Sequence, residues 1–271
     1  MPLFLFPEFH RMELKKVISA SRRVEMVGYY PQKLVQFLNK RFPPEKIHTL
    51  VIWSKKPERL LEDRDFAVLL KKTGQIVLHF TISGMGGTRF EPGIPSTSHS
   101  LLLVPRLIDF LGSPERLYVR FDPIVSFRLP DGSTFSNLDL FPEILEECQR
   151  AGVQKMVVSW MFPYDKVKQR LLKNGIRISP SDASLYEEQR KTVQNQAESA
   201  HMCIAGCCVD HWPVSKCIDG QELSRLHPEH LPATVERATG QRPRCGCTKS
   251  WDIGWYYPCP GGCLYCYANP K

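Results

Sequence analysis

Six short apolar runs punctuate residues 16–206, and they constrain the fold more than any other feature of the chain. They are KVISAS (16–21), TLVIWS (49–54), QIVLHFTIS (75–83), RLYVRF (116–121), KMVVSW (155–160) and HMCIAG (201–206). Each is near-continuous in Val, Ile, Leu and aromatic residues, the pattern of a strand covered on both faces. Helical patterns separate them. PQKLVQFLNKRF opens with Pro31 at a first-turn position, places Leu34, Val35 and Leu38 on one face, and is stopped by Pro43-Pro44. PERLLEDRDFAVLLKKTG ends at Gly74, YDKVKQRLLKNG ends at Gly175, and 183–199 is a polar helix. Residues 138–151 repeat Leu138, Phe141, Ile144, Leu145 and Cys148 at helical spacing, so Cys148 reads as a small core hydrophobe. No hairpin signal joins the runs, and the alternation predicts a parallel sheet with right-handed crossovers. No GxGxxG or Walker A motif points to a nucleotide-binding open sheet. The expected fold is α/β: a partial parallel (β/α)6 TIM-like barrel over 16–206. An N-terminal extension (1–15) precedes it, and an irregular cysteine-rich segment (207–271), with a short helix at 220–227, packs on it.

In such barrels, function collects where the strands end. The residues there are polar or charged: Ser19, Ser21, Arg22 and Arg23; Trp53, Ser54 and Lys55; Thr81, Ser83 and the SGMGG loop; Arg120, Asp122 and Pro123; Ser159, Trp160 and Met161. Singly, each reads as a cap or a solvated loop residue. Polar residues at five successive strand ends predict one polar pocket at the carboxyl face.

Charge and cysteine are unevenly spread. The formal charge is +8, and residues 1–60 account for +7 of it, with 12 Lys+Arg against 5 Asp+Glu. A basic start is ordinarily a solvated face; beside Tyr29, Tyr30 and Trp53 it also suits phosphate or a stacked base. The longest apolar stretch, LLLVP at 101–105, is far short of the roughly 18–20 residues a membrane span requires. The opening MPLFLFPEFH lacks a basic n-region and is broken by Pro7, so it does not read as a signal peptide. The expected compartment is the reducing cytoplasm. Clustered cysteines there are more often metal ligands or redox groups than disulfides. Nine of the ten cysteines lie after residue 200.

The sharpest spacing is CPGGCLYC, which sets Cys259, Cys263 and Cys266 as C-x3-C-x2-C with Tyr265 before the last cysteine. Three thiolates on one tight loop suit a cubane 4Fe–4S cluster with one iron lacking a protein ligand, and two glycines let the loop wrap closely. The pattern resembles the signature of radical S-adenosylmethionine (radical SAM) enzymes, and the sequel CYAN resembles the CYA continuation of spore-photoproduct-lyase-like members. A broader resemblance rests on SASRR (19–23), LVIWSKKP (50–57), HFTISG (79–84), RFDP (120–123), KCIDG (216–220) and RCGCTKSWDIGWYYPCPGGCLYCYAN (244–269). These segments resemble one family of uncharacterised bacterial proteins, whose C-terminal cysteine cluster is like the one radical SAM enzymes carry near the N-terminus. The arrangement therefore resembles a circular permutation, and the six strands suit the six-strand partial barrel of that superfamily.

The resemblance implies a fold, a cofactor pair and roles. Cys259, Cys263 and Cys266 would hold the cluster, whose open iron chelates SAM and cleaves it to start radical chemistry on a substrate. Tyr265 would flank the adenine, and SGMGG would be the candidate glycine-rich SAM segment. Ser19, Arg22, Arg23, Trp53, Arg120 and Asp122 would position SAM and substrate. A reductant such as flavodoxin or ferredoxin would supply the electron. The resemblance also points to Cys203, Cys217, Cys245 and Cys247 as a second, fully ligated cluster. Two other readings stand beside this one. A structural zinc site could pair Cys263 and Cys266 with Cys245 and Cys247. A nucleic-acid-acting enzyme would follow the photoproduct-lyase analogy and the basic start.

Overall fold

A computed structural model describes residues 14–179, 183–212 and 214–271. The extension expected at 1–15 therefore lies outside the described residues except for Leu14 and Lys15. The strands in chain order are β1 (Lys16–Ala20), β2 (Ile47–Ser54), β3 (Ile76–Thr81), β4 (Leu117–Ile124), β5 (Ser126–Arg128), β6 (Thr134–Ser136), β7 (Lys155–Trp160), β8 (Arg177–Ile178), β9 (Cys203–Gly206) and β10 (Trp251–Asp252). Seven of them form one sheet in the order β10-β1-β2-β3-β4-β7-β9, and every pairing in it is parallel. The six apolar runs are its six consecutive strands, so the fold is α/β with a parallel sheet that follows chain order without reversal. Two features are additional. A small antiparallel sheet, β6-β5-β8, follows β4, and β10 joins the free edge of β1 through Ile18–Trp251 and Ser19–Asp252.

The pleat explains why the runs are apolar throughout. Alternate residues face opposite sides of the sheet. One side carries Ile18, Leu50, Ile52, Leu78, Phe80, Val119, Phe121, Met156 and Val158. It packs against helix residues including Leu34, Leu38, Phe66, Leu107, Phe141 and Cys148. Cys148 is fully buried there, as its spacing predicts, and burial pushes its thiol up to about 12. The other side carries Val17, Val51, Val77 and Val157. It is covered by the cysteine-rich segment through Cys217, Ile218, Leu223, Ala233 and Cys247. Each buried side chain of this size contributes about 1.5–3 kcal/mol, so the tail is part of the core.

The helices fall mostly where the pattern places them: Pro31–Lys40, Phe141–Arg150, Asp165–Lys173, Ala183–Ser199 and Gly220–Leu226. The 57–74 pattern splits into Arg59–Glu62 and Arg64–Leu70, with Asp63 capping the second by accepting from Phe66 N–H. The helix Thr97–Leu111 is unforeseen. Pro105 inside it conceals the helical pattern, while the Ser96 cap and the left-handed Gly112 mark its ends. Among the described residues no helix is long and apolar enough to cross a membrane.

Candidate functional site

The C-terminal motif forms a tight loop against the segment that follows β3. Cys259 N–H donates to Asn269 O (2.7 Å), Lys271 N–H to Cys259 O (2.9 Å) and Cys266 N–H to Cys263 O (3.1 Å). Gly262 adopts the left-handed φ of 63°. A Cβ on Gly261 would stand 3.4 Å from Cys259 Sγ and 3.1 Å from Ile94. Gly262 thus supplies a left-handed turn, and Gly261 lets the chain pass close to Ile94 and Cys259. Leu264 N–H donates to Phe90 O (3.0 Å) and Gly93 N–H to Gly261 O (3.2 Å), while Arg170 donates to the carbonyls of Leu264 (3.0 Å) and Cys266 (2.7 Å). The loop is therefore docked on both flanks.

The three motif thiols share one environment. Burial pushes each of them above the ordinary cysteine value. Cys266 opposes ionisation of Cys259 and Cys263, so the three thiols act on one another electrostatically. Ala268 N–H donates to Cys266 Sγ (3.3 Å). Lys55 acts against that upward push at Cys263 and Cys266.

A buried ion pair stands beside this loop. Lys55 Nζ lies 2.6 Å from Glu91 Oε1 and 2.7 Å from the Tyr265 hydroxyl. Tyr265 also donates to Glu91, and Ser83 Oγ donates to the same carboxylate at 2.7 Å. Burial would pull Lys55 down, but Glu91, Cys263 and Asp122 hold it above the ordinary lysine value. The Tyr265 ring packs with Met85, Phe90 and Ile94. Its hydroxyl is thus committed to Lys55 and Glu91, and its ring is only 7% exposed.

The residues at the end of β1 converge on β10. Asp252 accepts from Ser19 Oγ (3.0 Å), Ser21 Oγ (2.7 Å) and Arg22 N–H (3.0 Å). Trp53 Nε1 donates to Ser19 Oγ (3.0 Å). The Trp53 ring stacks on His79 (4.1 Å), which stacks on Tyr118 (4.9 Å). The guanidinium carbons of Arg22 and Arg120 lie 4.9 and 5.3 Å from the centre of the Trp53 ring. Arg120 pairs with Asp122, which also accepts from Ser159. Burial would raise Asp122, but Arg120 and Ser159 hold its carboxyl below the ordinary value. Arg23 stands apart on the rim, 5.7 Å from the Tyr256 ring, and donates to Gly254 O (3.2 Å).

A second group of sulfurs lies beside Arg120. Cys217 Sγ is 3.2 Å from Arg120 Nη1 and 3.8 Å from Cys207 Sγ. Ile218 N–H donates to Cys247 Sγ (3.4 Å), and Arg242 Nη2 stands 3.7 Å from Cys207 Sγ. Hydrogen bonds from the Cys207 and Cys247 thiols, against burial, hold Cys217 well below the ordinary cysteine value, with Arg120 assisting. A bond from Cys247 brings Cys245 down to about 6, and one from Cys207 brings Cys208 to about 7. The structure brings together Cys217, Cys245 and Cys247 of the expected second set. It does not bring Cys203, which is exposed at the start of β9 opposite Lys155. Cys207, one residue past the end of β9, stands there instead. Four residues of strand separate the two by about 13 Å. Among the described residues no three His, Cys, Asp or Glu side chains already surround one point as metal ligands do.

Several of these residues escape sequence reasoning. Glu91, Arg242 and Cys207 sit in the site and belong to no recognisable spacing, while His79 and Asp252 lie within segments that carry the family resemblance but receive no role from it. A cavity of about 850 Å³ is lined by Lys56, Glu58, Arg59, Asp63 and His99 among others, and by no cysteine. A family model described as a domain of unknown function (DUF1848) matches residues 17–268. No curated protein matches the chain, and no solved structure does.

Proposed function

Since the chain belongs to the DUF1848 family, a domain of unknown function, its chemistry must be read from its own residues, and we propose that it is a radical SAM-like iron–sulfur enzyme. The observation that carries this reading is the docked loop that gathers Cys259, Cys263 and Cys266 beside the polar strand ends. The donor set fits a three-thiolate 4Fe–4S cluster. The thiols are sheltered and act on one another electrostatically, a backbone N–H reaches Cys266 Sγ, and a Cβ at Gly261 would crowd Ile94. When bound, the cluster would supply reductive cleavage of SAM.

The chain's own residues have separable tasks. Cys259, Cys263 and Cys266 would hold the cluster, with the Lys55 ammonium favouring the thiolate of Cys263. The Lys55–Glu91 pair holds Tyr265, and through it the loop. Ser19, Arg22, Trp53, Arg120 and Asp122 would bind SAM and substrate, with Arg23 on the rim. The sheet, in chain order with helices on one side, is read as a partial (β/α)6 barrel. The covered sheet face would keep water from the reacting centre. We place the protein in the cytoplasm, where a flavodoxin or ferredoxin would deliver the electron.

A nucleic-acid substrate is the second reading. The exposed Trp255, Tyr256 and Tyr267, with Arg23 on Tyr256, favour it because bases stack on such rings. Anaerobically reconstituted protein should hold about four irons and four sulfides on this loop. Adding SAM should perturb the spectrum of the reduced cluster, and C263A should abolish both. A cluster whose spectrum ignores SAM defeats the enzyme reading. Zinc without sulfide would leave a non-enzymatic binding module.

A further inference from the structure

We propose that Cys207, Cys217, Cys245 and Cys247 form a second, closed four-thiolate metal site, counter-charged by Arg22, Arg120 and Arg242, and that Cys203 takes no part in it. The inference stands apart from the SAM reading, because it uses none of the residues of the C-terminal loop.

Charge is the first argument. Three guanidiniums face this group of sulfurs. Arg120 Nη1 is 3.2 Å from Cys217 Sγ and Arg242 Nη2 is 3.7 Å from Cys207 Sγ, while Arg22 acts electrostatically on Cys245 and Cys247. Only Arg120 has a carboxylate partner, Asp122; among the described residues neither Arg22 nor Arg242 makes a salt bridge. Arg22 Nη2 is a buried atom with no hydrogen-bond partner there. Guanidiniums this close favour the thiolate form of the sulfurs, which is the form that ligates a metal. Four thiolates around a dication, or around a cubane core of the same charge, leave a net charge of two minus, which the surrounding guanidiniums offset.

The surroundings are the second argument. Ile218 N–H donates to Cys247 Sγ, and Ser215 Oγ lies 3.6 Å from Cys217 Sγ, the backbone and hydroxyl contacts that orient thiolate ligands. Val17, Val51, Val77 and Val157 floor the site from the sheet. The segment that supplies the four sulfurs has one short helix, Gly220–Leu226, and otherwise mostly irregular backbone. Metal ligation at four points of that segment would fix it to the sheet. The sulfurs now touch one another instead of surrounding a centre, so binding requires them to spread. Cys208 hydrogen-bonds to the Cys207 thiol but lies outside the apolar cluster that holds the other four sulfurs, so it is the spare thiol.

Four thiolates suit either zinc or a 4Fe–4S cluster, and the experiment has an arm for each. The full-length C259A/C263A/C266A variant removes the first site. It is purified without oxygen and loaded with zinc alone, or with iron and sulfide. One arm should retain about one zinc, or about four irons with sulfide, per chain. Cobalt(II) in the zinc arm should show thiolate-to-metal charge-transfer absorption. Adding C203S or C208S should leave the metal content unchanged, whereas adding C207S or C217S should lower it at least tenfold. C203S and C208S leave the proposed ligands intact, so they remain informative even if C207S fails to fold. Failure of the background variant to take up metal in either arm would overturn the proposal. So would a Cys207–Cys217 disulfide in its place, or loss of metal on C203S.

Discussion

Replacing Gly93 with Ala tests whether the cysteine loop is held by close backbone contact. Gly93 lies where the chain after β3 meets the C-terminal motif. Its N–H donates to Gly261 O at 3.2 Å, and its carbonyl accepts from Tyr29. A Cβ built there would fall 2.2 Å from Pro260 O, 2.9 Å from Gly261 Cα and 3.0 Å from the Tyr29 hydroxyl. Ordinary contact would need more than another 1 Å, so the loop must shift. Overpacking of this kind costs about 1–3 kcal/mol, and loss of one backbone hydrogen bond adds about 1. The total, about 2–4 kcal/mol, corresponds to a melting decrease of roughly 4–16 °C in a chain of this size. Gly93 lies outside the left-handed region, so the cost comes from the clash and not from backbone strain. The assays are thermal melting followed by circular dichroism, and iron content after anaerobic reconstitution. Both should fall. A G93A protein that melts and loads iron like the wild type would refute the docking argument.

Two further perturbations follow from buried charge. Lys55→Met strands the Glu91 carboxylate, which is 1% exposed; breaking one half of a buried pair costs about 3–5 kcal/mol, and K55M/E91Q should recover most of it in urea unfolding. Equal stability of K55M and wild type would contradict the role given to the pair. His79 is stacked between Trp53 and Tyr118, its Nε2 donates to Cys217 O (2.7 Å), and its Nδ1 is buried without a partner among the described residues. Burial lowers it from 6.5 to about 3. Below about pH 6.5 the unfolded chain therefore gains a proton that the folded chain refuses until about pH 3. Stability is present above pH 6.5 and is lost across that window, by about 2 kcal/mol at pH 5. H79Q should lose about 2 kcal/mol less than the wild type between pH 8 and pH 5, and identical losses would exclude His79 as the titrating group.

The sheet was legible because burial on both faces removes the period-two alternation and leaves unbroken apolar runs. KMVVSW coincides with β7, and the other five runs overlap their strands to within a few residues at each end. What covers each face was not legible, since it depends on pairings far apart in sequence. β10 is two residues long and has no strand signature of its own, yet its Asp252 collects Ser19, Ser21 and Arg22 from more than 200 residues away. The C-x3-C-x2-C loop could be read because its ligands are local. The second sulfur group could not, because spacing does not say which end of β9 a cysteine occupies. Cys203 opens that strand and Cys207 follows it. Tyr265 was legible as a position in a motif, but its bonds to Lys55 and Glu91 depend on tertiary packing.

The central claim is that the C-terminal thiols hold a cluster that cleaves SAM. The direct measurement is 5′-deoxyadenosine formed when anaerobically reconstituted protein is mixed with dithionite and SAM. The account predicts formation by the wild type, and none by C259A, C263A or C266A. A fully loaded cluster that yields no 5′-deoxyadenosine and binds no SAM would contradict it.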